Sequence, residues 1–182
     1  MILFIDTHDS LITIGIKTDN ELLTKTKESE YSHSKYVMPM IKELFDESNL
    51  DVHDLKEIVV VNGPGSFTGI RIGLTIAKTM AYSLDISIKS ISSLTAYLVS
   101  NDSNSDKMCL IEDNKGYYVS VFDKDNNSII PECYSEEVNY NYPVIENKLD
   151  IEKILNYVSK LPNDDYYHIK ANYVKKIEVE KW

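Results

Sequence analysis

An α/β fold is what this 182-residue chain predicts, on three observations. β-rich runs open the sequence, two stretches with apolar residues at helical spacing flank a short all-apolar run, and a second β-rich piece follows a polar linker. Hydrophobic residues make up 43% and charged residues 26%, which supplies a core without the marks of a disordered or membrane chain. A formal net charge of −10 repels phosphate backbones and argues against autonomous binding of nucleic acid.

The elements are expected in this order. ILFI (2–5) ends at Asp6-Thr7, LITIGI (11–16) follows a polar turn, and ELLTKTK (21–27) completes an antiparallel meander. Between Ser34 and Ser48, Val37, Met40, Ile41, Leu44 and Phe45 fall at i, i+3, i+4, i+7 and i+8, one face of an amphipathic helix. Pro39 removes a backbone donor inside that pattern, so a kink or a late helix start is expected. EIVVV (57–61) is a β-branched run suited to a strand buried on both faces. A second helix runs from about Thr68 to Leu84, followed by ISIKSIS (86–92) as a strand and LTAYLVS (94–100) as a short helix. NDSNSDK (101–107) reads as the linker. Beyond it KMCLIE (107–112), YYVSVF (117–122) and SIIPECYSEEV (128–138) read as strands, with DKDNNS (123–128) as a hairpin turn. IEKILNYVSKL (151–161) is a modest helix, and YYHIKANYVKKIEVEKW (166–182) is strand-like, then basic and amphipathic.

Cys109 and Cys133 have no CxxC spacing and no clustered histidines around them, which disfavours a zinc site and a disulfide framework and suits a reducing cytoplasm. MILFIDTHDS lacks the basic and long apolar regions of a signal peptide, and no later run approaches the length of a membrane span. A cytoplasmic protein is expected.

NGPGSFTGIRIGLTIAK (62–78) holds Gly63, Gly65, Gly69 and Gly73, four of the six glycines. A phosphate-binding GxxxxGK[ST] loop needs a Lys-Ser or Lys-Thr pair, and the steps from Gly63 and Gly65 land on Thr68 and Ile70 without one. The spacing GxGxxxG also misses the dinucleotide fingerprint by one place, and Pro64 deletes an amide. Gly69, Gly73, Ala77 and Ala81 instead recur every four residues along one helix face. Ile72, Ile76 and Met80 run beside that face, and Ile70 and Leu74 occupy a third side. Two glycines inside a helix cost about 1 kcal/mol each relative to alanine, which close approach of another backbone would offset. Packing within the chain and packing against a partner both satisfy this pattern.

FIDTHDSLITIGI, SHSKYVMPMIKELF, IVVVNGPGSFTGIRIGLTIAKTMAYSLDI and ISSLTAYL, which cover most of residues 1–98, resemble the TsaB (YeaZ) family. GPGSFTGIRIG carries the resemblance most specifically. CLIEDNKGYYVSVFD stands where that family has an Asp-Ala-Arg segment, and NYVKK is similar to its closing Tyr-Leu-Arg element. The resemblance implies the ASKHA superfamily fold of actin and sugar kinases, two ribonuclease-H-like lobes with mixed sheets flanked by helices. It places an N-terminal lobe at 1–100 and a shortened α+β lobe at 101–182.

It also implies a scaffold that uses no cofactor, pairs with a TsaD-like protein through its first two helices, and lets a TsaE-like ATPase dock on the pair. Contact with tRNA would be indirect, through the complex; the sequence leaves open whether the free chain forms a homodimer through the same apolar helix. The expected interface residues are Tyr36, Met40, Gly69, Ile72, Gly73, Ile76, Ala77 and Met80.

His8, His33, His53 and His168 are scattered with no HxxxH to present two imidazoles to one ion. Ser90, Ser92 and Ser93 have no nearby histidine in sequence, so they give no nucleophile signal. The alternative is an active nucleotide-binding kinase or ATPase of the same superfamily, with Asp6 holding a metal or polarising a water. The lysines at the end, Lys170, Lys175, Lys176 and Lys181, are interspersed with Glu178 and Glu180 and read as a solvated face.

Overall fold

The structure is a computed structural model, and it describes residues 1–29 and 32–175. Strands β1 (Ile2–Asp6), β2 (Leu11–Lys17) and β3 (Leu22–Glu28) form the expected antiparallel meander. Helix α1 (His33–Ser48) leads to β4 (Glu57–Val61), which pairs parallel with β1; helix α2 (Phe67–Leu84) leads to β5 (Ser87–Ile91), which pairs parallel with β4. The sheet order is β3-β2-β1-β4-β5, so β4 is interior, as its unbroken apolar run requires.

Alternation along the strands builds two cores from one sheet. Leu3, Ile5, Ile12, Ile14, Ile16, Ile58 and Val60 face α1 and α2, whereas Phe4, Val59 and Val61 face the other way. The second face is covered by α3 (Ser93–Ser100) and α4 (Ile151–Val158). Each fully buried aliphatic side chain contributes about 1.5–3 kcal/mol, so this sandwich dominates the stability.

A three-stranded antiparallel sheet of β6 (Lys107–Asp113), β7 (Gly116–Phe122) and β8 (Ser128–Ser135) packs against α3 through Cys109 and Phe122. Its other core is small: Met108, Val119 and Val121. The sequence division at residue 100 falls at the end of α3. Helix α4 nonetheless returns to the first sheet, with Ile151 seated over Gly15, and residues 164–175 return as well.

Two local expectations change and one element is added. Helix α1 begins at His33 and continues through Pro39, which lies on its exposed side, so there is no late start. A one-turn 3-10 helix at Val52–Asp54 went unread; Asp51 caps it by accepting from the His53 N–H at 2.9 Å. Residues 166–175 form no strand, because their partners are Asn62 and the side chains of α2 and of the second sheet rather than a strand edge. Lys176, Glu178, Glu180 and Lys181 lie outside the described residues. Among the described residues no helix is long and apolar enough to cross a membrane.

Candidate functional site

The glycine-rich turn is stitched to the turn between β1 and β2. Ser66 caps α2, its hydroxyl accepting from Gly69 N at 3.2 Å, while its own N–H donates to the His8 carbonyl at 2.6 Å. Thr7 donates its hydroxyl to the Gly69 carbonyl at 2.8 Å. A Cβ on Gly69 would sit 2.1 Å from the Thr7 carbonyl oxygen, and one on Gly73 would sit 2.4 Å from the Thr7 hydroxyl. The close approach that the small residues require is therefore made inside the chain. Several amides at this helix start are also committed, since Ile70 N donates to Ser66 O at 2.9 Å.

The eight residues expected to meet a partner divide into two sets. Met40, Gly69, Gly73 and Ala77 are buried among this chain's own groups. Tyr36, Ile72, Ile76 and Met80 are half-buried at the rim of the core between α1 and α2 and keep part of their surface open. Met38 is exposed on α1.

A cleft of about 1510 Å³ opens on the other side of the stitched turn. Its walls are His8 and Asp9, the turn at 64–67, the β6–β7 hairpin, β8, and the segment 172–175. Asp9, Glu112, Asp113, Glu132 and Glu136 line it against Lys115 and Lys175, so its charge is that of the whole chain.

Beneath its edge lies a buried polar chain that sequence inspection did not reveal. Asp6 Oδ1 accepts from the His8 N–H at 3.0 Å and lies 2.7 Å from His8 Nδ1, while His8 Nε2 lies 3.0 Å from the Tyr97 hydroxyl. Burial opposes charge on His8, but the adjoining Asp6 carboxylate outweighs it and holds the imidazole above its usual value. Burial, reinforced by Asp9 and Asp6, pushes the Tyr97 phenol up, so it stays neutral. Asp6 thus serves as a hydrogen-bonded anchor for the turn.

Other candidate groups are equally occupied. His33 ties the start of α1 to the β1–β2 turn, its Nε2 2.7 Å from the Asp9 carbonyl, and His168 pairs with Asp165 at the surface. Ser90 binds Asp164, Ser93 donates to the Pro64 carbonyl, and Ser92 caps α3 while donating to Glu132. Both cysteines are free thiols, and burial raises that of Cys109. Among the described residues no three metal-ligating side chains come together.

The family model described as TsaD, tRNA N6-adenosine threonylcarbamoyltransferase, matches residues 24–154. The protein of Bacillus subtilis named tRNA threonylcarbamoyladenosine biosynthesis protein TsaB is 42% identical over 97 residues, 51% of this chain and 41% of that protein. The chain belongs to that family, in its TsaB (YeaZ) group.

The TsaB of Haemophilus influenzae is 32% identical over 95 residues, 52% of this chain and 40% of that protein. The chain thus spans about two fifths of the length of the curated relatives it matches. A solved structure of YeaZ from Pseudomonas aeruginosa superposes with a TM-score of 0.82 at 15% identity, covering 94% of this chain and 98% of that one. A second Pseudomonas aeruginosa structure, described as similar to peptidase YEAZ, gives 0.83 at 14% identity, covering 96% and 99%. The YeaZ fold therefore extends through the later half, where sequence likeness fades. The architecture is the expected α/β fold, in which a mixed five-stranded sheet flanked by helices stands beside an antiparallel three-stranded sheet.

Proposed function

We propose that this chain is a non-catalytic scaffold subunit in the biosynthesis of threonylcarbamoyladenosine in tRNA. It binds and stabilises a TsaD-like protein, which transfers the threonylcarbamoyl group to the adenosine beside the anticodon. The observation that carries this reading is helix α2. One side is stitched to Thr7 and the core, while Ile72, Ile76 and Met80 form a part-open apolar row, and Tyr36 of α1 packs on the same core. Such a row on a surface that is otherwise strongly charged is what a partner's helix covers. The family's name supplies the partner, a TsaE-like ATPase would dock on the pair, and tRNA would be met through the complex.

The test is Ile76→Asp, with circular dichroism and a thermal melt to establish folding. Co-purification with the TsaD-like protein from the same cell should drop below detection while the helical signal persists. An intact pair would place the contact elsewhere.

The cleft favours one second reading, a nucleotide-binding kinase or ATPase. The acidic lining opposes it, since five carboxylates face two lysines where a polyphosphate would lie. ATP turnover by the isolated chain, abolished in Asp6→Asn, would establish that reading instead.

A further inference from the structure

Residues 164–175 leave α4 and cross the molecule as a single span. At one end Asp164 accepts from Ser90 N at 2.6 Å and from the Ser90 hydroxyl at 2.7 Å, so the span starts on the edge of β5. Tyr166 and Tyr167 then pack edge-on against Tyr82 of α2, Ile169 enters the core, and Lys78 donates to the Ile169 carbonyl at 3.3 Å. Asn172 N donates to the Asn62 carbonyl at 2.8 Å, and the Tyr173 hydroxyl accepts from Arg71 Nε at 2.9 Å. These anchors belong to the five-stranded sheet, its helices and its loops.

The next contacts belong to the other sheet. Lys175 Nζ lies 2.8 Å from Asp113 Oδ2 on β6, donates to the Tyr134 hydroxyl of β8 at 3.1 Å, and sits 4.2 Å from the centre of that ring. The ammonium holds the Asp113 carboxyl below its usual range. Glu132 of β8 reaches in the opposite direction. One oxygen accepts from Ser92 and, at 3.1 Å, from Thr95 in the first turn of α3; the other accepts from Asn172 Nδ2 at 2.6 Å. A carboxylate there also meets the positive end of the helix dipole. Glu132, Asp113, Asn172, Tyr173 and Lys175 all line the cleft.

We propose that residues 164–175 are a strap that ties the two sheets together and sets the opening of the cleft, with Glu132 as its knot. This inference does not depend on the identity of the partner. A three-stranded sheet that holds few buried residues of its own is kept in place by charge-assisted bonds, which are stronger than neutral ones. The superfamily's architecture is thereby turned into a cleft of fixed width.

The test uses the full chain with Cys133→Ser and spin labels at Thr68→Cys, next to the wall at 64–67, and at Lys115→Cys on the opposite wall. Adding Glu132→Ala and Lys175→Ala should lengthen and broaden the distance distribution. The Asn172 amide should exchange with solvent at least about tenfold faster, while core amides of β1 and β4 keep their protection. An unchanged distribution overturns the proposal, whether or not the strap amides exchange faster. Should Glu132→Ala not fold, Glu132→Gln with Lys175→Met removes the charges but keeps the volume, and the same two outcomes decide.

Discussion

The two sheets use the same period-two alternation to opposite effect. In the five-stranded sheet both faces are covered, so Ile5 and Ile14 point to α1 and α2 while Phe4 and Val59 point to α3 and α4. In the three-stranded sheet one face meets α3 and the other closes over only Met108, Val119 and Val121, with Ile129 left exposed on β8. The first sheet is held by area removed from water. The second is held by the core it shares with α3 and by named polar bonds to its neighbour, so its integrity depends also on geometry that single substitutions can undo. The lesson is that a small sheet survives beside a large one by borrowing a core at α3 and by being tied at its free end.

Three measurements break or sharpen this contrast. The largest effect is expected from Gly69→Val, because a Cβ 2.1 Å from the Thr7 carbonyl has no flexible neighbour to displace. It should cost about 4 kcal/mol or more in urea unfolding, a large share of the roughly 5–15 kcal/mol that holds an ordinary domain. A cost under about 1 kcal/mol would mean that the stitch is not rigid.

Next come paired truncations. Ile14→Ala, fully buried between β2 and the helices, should lose about 2–5 kcal/mol. Ile130→Ala, half-buried on β8, should lose only about 1 kcal/mol, with unfolding of the second sheet preceding that of the first in hydrogen exchange. Equal losses would erase the distinction between the sheets.

The smallest effect concerns pH at the seam. His8 is held above its usual value by Asp6, so its charged pair contributes stability below pH about 6.5, and that contribution fades as pH rises through the folded-state value. The His8 ring should titrate by NMR with a midpoint above 6.5. A midpoint below it would mean that burial outweighs the carboxylate.

Most of the five-stranded unit was legible from the residues, because local periodicity and tertiary burial agree there. The β4 run, the α1 stripe at Val37, Met40, Ile41, Leu44 and Phe45, and the end of α2 at Asp85 in a left-handed cap all follow from short-range pattern. Pro39 misled because its missing donor matters less on an exposed side, where water meets the freed carbonyl. The cleft was not legible. His8 and Tyr97 are 89 positions apart, and Glu132 meets Ser92 and Asn172 each 40 positions away, distances over which side-chain pairing leaves no periodic trace. The C-terminal segment misled for a related reason, since its alternating Tyr, Ile and Val residues find side-chain partners rather than a strand edge.

The contact between Thr7 and Gly69 makes loop length a structural parameter. The carbonyl that fills the hollow on α2 belongs to the first of the four residues, Thr7 to Ser10, that separate β1 from β2, and the next carbonyl, of His8, accepts from Ser66 N. Inserting one residue would carry that oxygen away from the helix and leave an unfilled notch, so spacing at this hairpin is under the same constraint as the identity of the glycine it faces.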